Sequence, residues 1–261
     1  MEEGAVVRSG LAAMMTACAL VLAGPVSAQD SSQASPTPRS IIERAVEAHG
    51  GEVWLEPGTL QLSGTASFYD AKTGAVRSKA DDYRMWREMD AARTSAHGAS
   101  GKVRIIAKAG EELIFEVGYN GETTWTERGI MPKDQADAYW ATNFGFGIVR
   151  QALKEGFALT SAPARNLRGR DTHLVRITDP GGAETLFGFD AESGFITYLA
   201  FDTPRGFHER LYDDFVRLEN GWVQARSVTL LYDGIMSNTV FWSDTRVGEA
   251  VPAAIFTPPS P

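Results

Sequence analysis

Beyond Trp54, short runs that alternate between apolar and polar residues recur between glycine-containing turns, and this pattern constrains the fold most. The turns include Asn120-Gly121, Ser193-Gly194 and Asn220-Gly221. A period of two is typical of strands with one buried face, and Asn-Gly between two such runs favours a hairpin. The pattern predicts about eleven strands in one large antiparallel sheet, in meander order. The runs are TLQLSGTASFYD, DDYRMWREM, GKVRIIAK, ELIFEVGY, ETTWTE, THLVRIT, ETLFGFD, FITYLAFD, FHERLYDDFVRL, WVQARSVTLLY and NTVFWSDTRV.

Two segments depart from this period and predict helices. The stretch TPRSIIERAVEAHGG, residues 37–51, has two candidate N-caps, Thr37 and Ser40, before an apolar stripe of helical spacing. Residues 132–156 predict two short helices joined around the glycines of FGFG. A large curved sheet with only these helices has a concave face that the strands alone do not cover. We expect the helical insertion to cover this face. The fold class is therefore mainly β (α+β), with a cavity suited to binding.

The stretch His49-Gly50-Gly51 has two interpretations. A similar His-Gly-Gly stretch forms the oxyanion hole of some esterases, but Gly-x-Ser-x-Gly occurs nowhere in the chain, so an esterase would lack its nucleophile. The other interpretation is a helix end. His49 then occupies the last turn, favoured by the helix dipole, and the glycines supply the positive φ angles that end the helix.

Other catalytic and cofactor patterns are incomplete. The histidines are scattered without metal-ligand spacing, and His208 begins an HExxH-like run that has Tyr212 in place of the second histidine. Adjacent acidic pairs in strands point to opposite faces. We therefore predict no enzyme activity, no metal and no cofactor, with a hydrolase kept as the less favoured alternative. The net charge of -8, without a basic run, argues against binding to nucleic acid.

The first residues predict an exported protein. An apolar run, Leu11–Ala23, precedes Gly24-Pro25 and a small-residue cleavage site that ends at Ala28. The run is shorter than the roughly 20 residues that span a bilayer, so we expect no stable transmembrane anchor. We predict a signal peptide over 1–28, a flexible leader over 29–37 and a single domain over 38–261. Lipid attachment at Cys18 is a minor alternative.

The order of several stretches resembles the periplasmic lipoprotein-carrier superfamily, the LolA/LolB-like proteins that include outer membrane lipoprotein-sorting homologues. These stretches are AVEAHGGEVW, YNGETTWTERG, the insertion after Pro132, LFGFDAESGFITYLAFD, YDDFVRLENGWVQARSVTLLYDG and the FTPP tail. The resemblance implies an incomplete antiparallel β-barrel whose concave side is plugged by helices. It also implies a periplasmic location and a carrier that holds a hydrophobic group without catalysis.

The resemblance also implies site residues. Trp125 matches the aromatic position of the family's Gly-x-Thr-x-Trp strand and is expected to face the cavity. Trp86 and Arg87 match an aromatic and basic strand whose arginine holds the lid, although the Arg-Pro that follows in carriers is absent here. Arg87 is thus the lid-latch candidate. The full set of cavity candidates is Trp86, Trp125, Trp140, Phe144, Phe146 and Ile148.

The expected partner is a lipid or an acylated protein, bound by a monomer. The alternative is an envelope scaffold or sensor that uses the same fold to bind a protein.

Overall fold

The computed structural model describes residues 35–143 and 146–259. The helices are α1 (Pro38–His49), α2 (Glu52–Leu55) and α3 (Lys133–Asn143), with 3-10 helices at Phe146–Gln151 and Ala253–Phe256. The strands are β1 (Thr59–Tyr69), β2 (Val76–Glu88), β3 (Lys102–Ala109), β4 (Glu112–Tyr119), β5 (Thr124–Thr126), β6 (Gly129–Ile130), β7 (Ala158–Leu167), β8 (Arg170–Thr178), β9 (Glu184–Asp190), β10 (Ile196–Thr203), β11 (Gly206–Arg217), β12 (Val223–Tyr232) and β13 (Ile235–Val247). The predicted signal peptide with Cys18, the leader up to Ala34 and the cavity candidate Phe144 lie outside the described residues.

The described strands form one 13-stranded antiparallel sheet in the order β6-β5-β4-β3-β2-β1-β13-β12-β11-β10-β9-β8-β7. Each half, β1 to β6 and β7 to β13, is a meander. The halves meet where β1 pairs with β13, from Leu60 opposite Val247 to Phe68 opposite Asn238. The sheet ends at β6 and β7 and is not closed into a barrel. The predicted fold class, a mainly β protein with an open antiparallel sheet, is confirmed.

Every predicted strand is present, and β6 and β7 are additional strands that the pattern does not reveal. β6 has only two residues, Gly129 and Ile130. β7 carries Pro163 and a register shift between Ala162 and Arg165, and most of its side chains are exposed. Proline lacks the amide proton that a central strand needs, so it is confined to edges and bulges. An edge strand without an apolar face has no period-two signal.

α1 begins and ends as local rules predict. The Thr37 hydroxyl accepts a hydrogen bond from the Ser40 amide at 3.1 Å, so Thr37 is the N-cap of the two candidates. The helix stops at Gly50, with a φ of 124°, followed by Gly51 with a φ of 61°. A Cβ atom on Gly50 would lie 2.6 Å from the carbonyl oxygen of Gly221. A side chain at position 50 would thus be disfavoured both by the positive φ angle and by the close contact with Gly221. The predicted helix end is confirmed.

The predicted helical insertion consists of α3 and the 3-10 helix Phe146–Gln151, and it contacts both halves of the sheet. The indole N–H of Trp140 donates to the Thr124 hydroxyl of β5 at 2.9 Å. The Tyr232 hydroxyl of β12 donates to the backbone carbonyl of Thr142 at 3.1 Å. These bonds hold α3 across the sheet, over the face whose side chains include Leu62, as the predicted cover requires. We call this face, which also carries Tyr83 and Val240, the inner face.

No helix within residues 35–143 and 146–259 has the length and apolar character needed to cross a membrane.

Candidate ligand-binding cavity

A cavity of about 250 Å³ lies between the inner face and the helices. α1 and α2 contribute His49 and Trp54, and the insertion contributes side chains from α3 and the 3-10 helix. Most of the wall is apolar or aromatic. The lining residues of the sheet include Leu60, Leu62, Tyr83, Met85, Ile105, Phe115, Tyr212, Phe215, Val228, Leu230, Val240 and Trp242. The volume is slightly below the range of about 300–1,000 Å³ typical of small-molecule sites, so the space suits a small ligand or a single alkyl chain.

Aromatic rings from different elements pack against one another around the cavity. Tyr83 of β2 stacks on Trp242 of β13 with ring centroids 5.2 Å apart. Phe146 of the 3-10 helix meets Tyr212 of β11 at 5.0 Å. The first pair belongs to two strands and the second joins the insertion to the sheet. The aromatic wall therefore depends on the assembled fold rather than on any single element.

Three arginines, Arg87 of β2, Arg150 of the 3-10 helix and Arg210 of β11, also line this apolar space. Arg150 is 8% exposed. Its Nε donates to the Trp54 carbonyl at 2.7 Å, and its guanidinium lies 4.5 Å from the Trp54 ring centroid. Arg210 donates from Nε to Nε2 of the buried His208 at 3.0 Å. These contacts fix the direction of two guanidinium groups in the wall.

Burial and like charges both act on these arginines. Burial, with the nearby charge of Arg93, lowers the pKa of Arg150 to about 9, which still leaves it protonated at neutral pH. Burial also holds the pKa of Arg87 well below its ordinary value, and the charges of Arg93, Arg150 and Arg210 act in the same direction. The apolar surroundings also affect the cavity's hydroxyl groups: burial raises the pKa of Tyr83 to about 12. A negative charge brought into this cavity would relieve the repulsion.

A second pocket of about 230 Å³ adjoins the cavity, and Arg87 and Arg150 line both spaces. Its wall also includes Arg93, Asp90 and Glu56. Arg93 donates from Nε to the Ser95 carbonyl at 2.7 Å and also bonds to the Ala96 carbonyl. The two shared arginines thus lie where the cavity meets a second space whose wall carries two carboxylates.

His49 lines the cavity and is 3% exposed. Its Nε2 accepts the Ile196 amide at 3.0 Å, and its ring lies 5.2 Å from that of Trp54. Burial lowers the pKa of His49 to about 4. His49 lies in the last turn of α1 as predicted, but its ring is neutral at pH 7, so the helix dipole does not act on it as on a cation. The neutral ring instead connects the end of α1 to β10.

The structure brings part of the predicted site together. Trp140, Phe146 and Arg87 line the cavity. Ile148 is fully buried in the main core but is not a lining residue. Trp86 also does not line the cavity, because it alternates with Met85 and Arg87, which do.

Trp125 lies on the opposite side of the sheet from the cavity, contrary to the expectation. A Cβ atom on Gly118 would lie 2.1 Å from the Trp125 ring, and the indole N–H donates to the Glu116 carboxylate at 3.0 Å. Glu116 also pairs with Arg104 at 3.0 Å. Since Phe115 of the same strand faces the cavity, Glu116 and Gly118 face away from it. A strand as short as β5 contains too few residues for the alternation of apolar and polar residues to show which side chains face the cavity.

Arg150 and Arg210 are cavity residues that sequence reasoning missed. Arg150 follows Ile148 and Val149 in an apolar stretch, and Arg210 stands between His208 and Tyr212 at the spacing of one strand face. A charged residue on an otherwise apolar face is the available signal. Among the described residues, no three His, Cys, Asp or Glu side chains are grouped to hold a metal ion. The arrangement offers apolar walls and cationic donors for binding.

Comparisons with known proteins give no match to a protein-family model or to a curated protein. Solved structures do match. One is a putative outer membrane lipoprotein-sorting protein domain from Vibrio parahaemolyticus, with a TM-score of 0.52 and 10% identity over 84% of this chain and 97% of that one. Another is a LolA superfamily protein from Nitrosomonas europaea, with a TM-score of 0.52 and 13% identity over 85% and 98%.

A DUF1329 family protein from Desulfovibrio piger also matches, with a TM-score of 0.50 and 8% identity over 85% of this chain and 98% of that one. At such identities the likeness concerns the fold, and residue roles do not transfer. The resemblance inferred from the order of sequence motifs is confirmed at this level. The chain has the fold of LolA superfamily and outer membrane lipoprotein-sorting proteins.

Proposed function

We propose that this protein binds a hydrophobic ligand, a lipid or the acyl chain of a lipoprotein, in the cavity between the inner face and the insertion. The observation that carries the proposal is the cavity itself, which has walls of aliphatic and aromatic side chains. Burial of an acyl chain gains about 0.8 kcal/mol per methylene removed from water. The fold adds support, because one neighbour of the same fold is described as an outer membrane lipoprotein-sorting domain.

The proposal includes a periplasmic location and a carrier that performs no catalysis. The export signal predicted over residues 1–28 supports the location. Of the histidines in the described chain, His49 is the one that lines the cavity, and its ring nitrogen already accepts a backbone amide. It is therefore poorly placed to act as a general base.

In this proposal the insertion acts as the lid. Trp140 and Phe146 contribute its apolar contacts with the ligand, since both line the cavity from the helical side. Arg87 as the latch of this lid stays a prediction. The polar contact of Trp140 with Thr124 and the ring contact of Phe146 with Tyr212 indicate how the lid rests on the sheet.

Native mass spectrometry of the mature protein purified from periplasm, followed by lipid extraction, tests the function. We expect a population with added mass that disappears on extraction, and displacement of an environment-sensitive apolar dye by acyl compounds. A protein that retains no lipid and binds no acyl compound after delipidation would contradict the proposal.

A second candidate function is an envelope scaffold or sensor that binds a protein. Phe207, Ile235 and Met236 are large apolar side chains exposed at the same end of β11 and β13, beside the turn after Tyr232. Exposed apolar groups of this kind often mark contact surfaces. Cross-linking in periplasm followed by affinity purification distinguishes the two, because recovery of a protein partner with an empty cavity favours the scaffold.

A further inference from the structure

The charge of the cavity is one-sided. Arg87, Arg150 and Arg210 line it, and none of its lining residues within the described chain is an aspartate or a glutamate. Positive charge in a wall of low dielectric attracts an anion more strongly than it would in water. The wall therefore suits a ligand that brings negative charge with it.

Arg150 is the best-oriented of the three. Three aromatic rings surround its guanidinium, at 4.5 Å for Trp54, 5.3 Å for Trp222 and 5.7 Å for Phe146. One hydrogen bond, to the Trp54 carbonyl, engages Nε. A guanidinium has five N–H donors in a planar fork, and its two terminal nitrogens match the spacing of carboxylate or phosphate oxygens. Arg150 is thus held in the wall of the cavity by its Nε hydrogen bond and by the surrounding rings.

Arg87 and Arg150 also define a place along the cavity. Both line the main cavity and the adjoining pocket, whose wall also carries Glu56, Asp90 and Arg93. Lining residues such as Leu62, Val228 and Val240 belong to the main cavity and not to the adjoining pocket. An amphiphile with its polar end at the two arginines could therefore extend its chain along the apolar wall.

We propose that the cargo is a single-chain anionic amphiphile, whose carboxylate or phosphate binds Arg87 and Arg150 inside the cavity while its chain lies along the inner face. This inference rests on the proposed function and adds the chemistry of the head group. The lowered pKa of Arg150 and of Arg87 agrees with it, since an anion would reverse the effects of burial and of like charges on both. Arg210, in the other half of the sheet, contributes attraction to the same charge.

Four probes of equal chain length test the proposal: dodecanoate, dodecyl phosphate, dodecanol and dodecyltrimethylammonium. Their binding to the delipidated protein is measured by isothermal titration calorimetry, below the critical micelle concentration of each charged probe and below the solubility limit of dodecanol. We expect at least one anion to bind about tenfold or more tightly than dodecanol, and the cation to bind most weakly. The preference between dodecanoate and dodecyl phosphate distinguishes a fatty-acid source from a phospholipid source.

Substitutions of single arginines test which side chains produce the preference for anionic ligands. R87M and R150M are expected to bring the ratio of anion to dodecanol affinity close to one, whereas R150K, which keeps the charge, retains part of the preference. R128M is the matched control, because the Arg128 side chain is 89% exposed and lies outside the cavity. Thermal unfolding of each variant checks the fold. Should R150M not fold, R87M and R150K still measure the contribution of charge.

The outcomes separate the two proposals. Equal affinity for anions and dodecanol in the unsubstituted protein overturns the head-group inference and leaves the lipid-binding function intact. An anion preference that persists unchanged in both R87M and R150M also overturns it. Binding of none of the probes contradicts the proposed function itself.

Discussion

At the scale of single residues, His49 and Gly50 show how one short stretch serves two different purposes. Arg217 donates to the carbonyls of Ala48 and Gly221, both at 2.8 Å, and so joins the end of α1 to the turn between β11 and β12. Gly50 permits this close approach, and His49 lines the cavity. The helix stop could be predicted from sequence because it depends on neighbouring residues. The neutral state of His49 could not, because it results from distant residues that bury the ring.

The buried ring makes stability depend on pH. The pKa of His49 is about 4 in the folded protein against an ordinary 6.5. Between these values the unfolded chain binds a proton that the folded chain does not, so stability falls as the pH decreases from about 6.5 towards 4. The contribution is up to about 3 kcal/mol, and the lowered pKa of His208 acts in the same direction. Urea unfolding at several pH values measures it.

The variant H49Q removes this titration. It is expected to be less stable than the unsubstituted protein at pH 7, since it disturbs the contact with the Ile196 amide, but to lose less stability between pH 6.5 and pH 4.5. An unchanged pH dependence in H49Q would exclude His49 as a source of the effect.

At the scale of elements, the 3-10 helix Phe146–Gln151 divides its side chains between ligand and core. Phe146 lines the cavity, whereas Ile148 is fully buried in the main core and does not line it. The sequence predicts both residues on the lid, since both are apolar and closely spaced. It could not separate them, because a short helix next to glycines offers no reliable periodicity.

Two matched truncations test this division. F146A is expected to weaken acyl-ligand binding about tenfold or more, since a large apolar contact is lost, with a smaller loss of folding stability. I148A is expected to lower the free energy of unfolding by about 2–4 kcal/mol, as a fully buried truncation does, with ligand affinity nearly unchanged once the protein is folded. Calorimetric binding and urea unfolding of both variants measure the contrast, and parallel losses in the two would show that Phe146 is core.

At the scale of the whole molecule, the sheet depends on pairing between its first and last strands. The pairing of neighbouring runs could be predicted because hairpins connect them, but the single meander predicted from the sequence is divided into two. The β1–β13 pairing could not, because its partners lie far apart in sequence and local patterns carry no information about them. Gly64 lies at a register shift in this pairing, and a Cβ atom there would be 1.9 Å from the Phe241 carbonyl oxygen. The two strands therefore approach closely where the halves join.

G64A is expected to destabilise the protein by about 3 kcal/mol or more, or to prevent folding, because the added methyl group meets backbone that cannot move independently of the sheet. T65A on the next, exposed position is the control and should change stability by less than about 1 kcal/mol. Urea unfolding measures both. A G64A protein as stable as T65A would show that the strands separate easily at this point.

The central position of the β1–β13 pairing also has a kinetic consequence. β13 ends at Val247, so most of the sheet has left the ribosome before the strand that joins its halves is available. Contacts between such distant segments slow folding, because a long loop must close before they form. Until then the edges of β1 and β12 are both unpaired, and a chain in that state can pair with other chains. A factor that binds extended segments would be of most use during this interval.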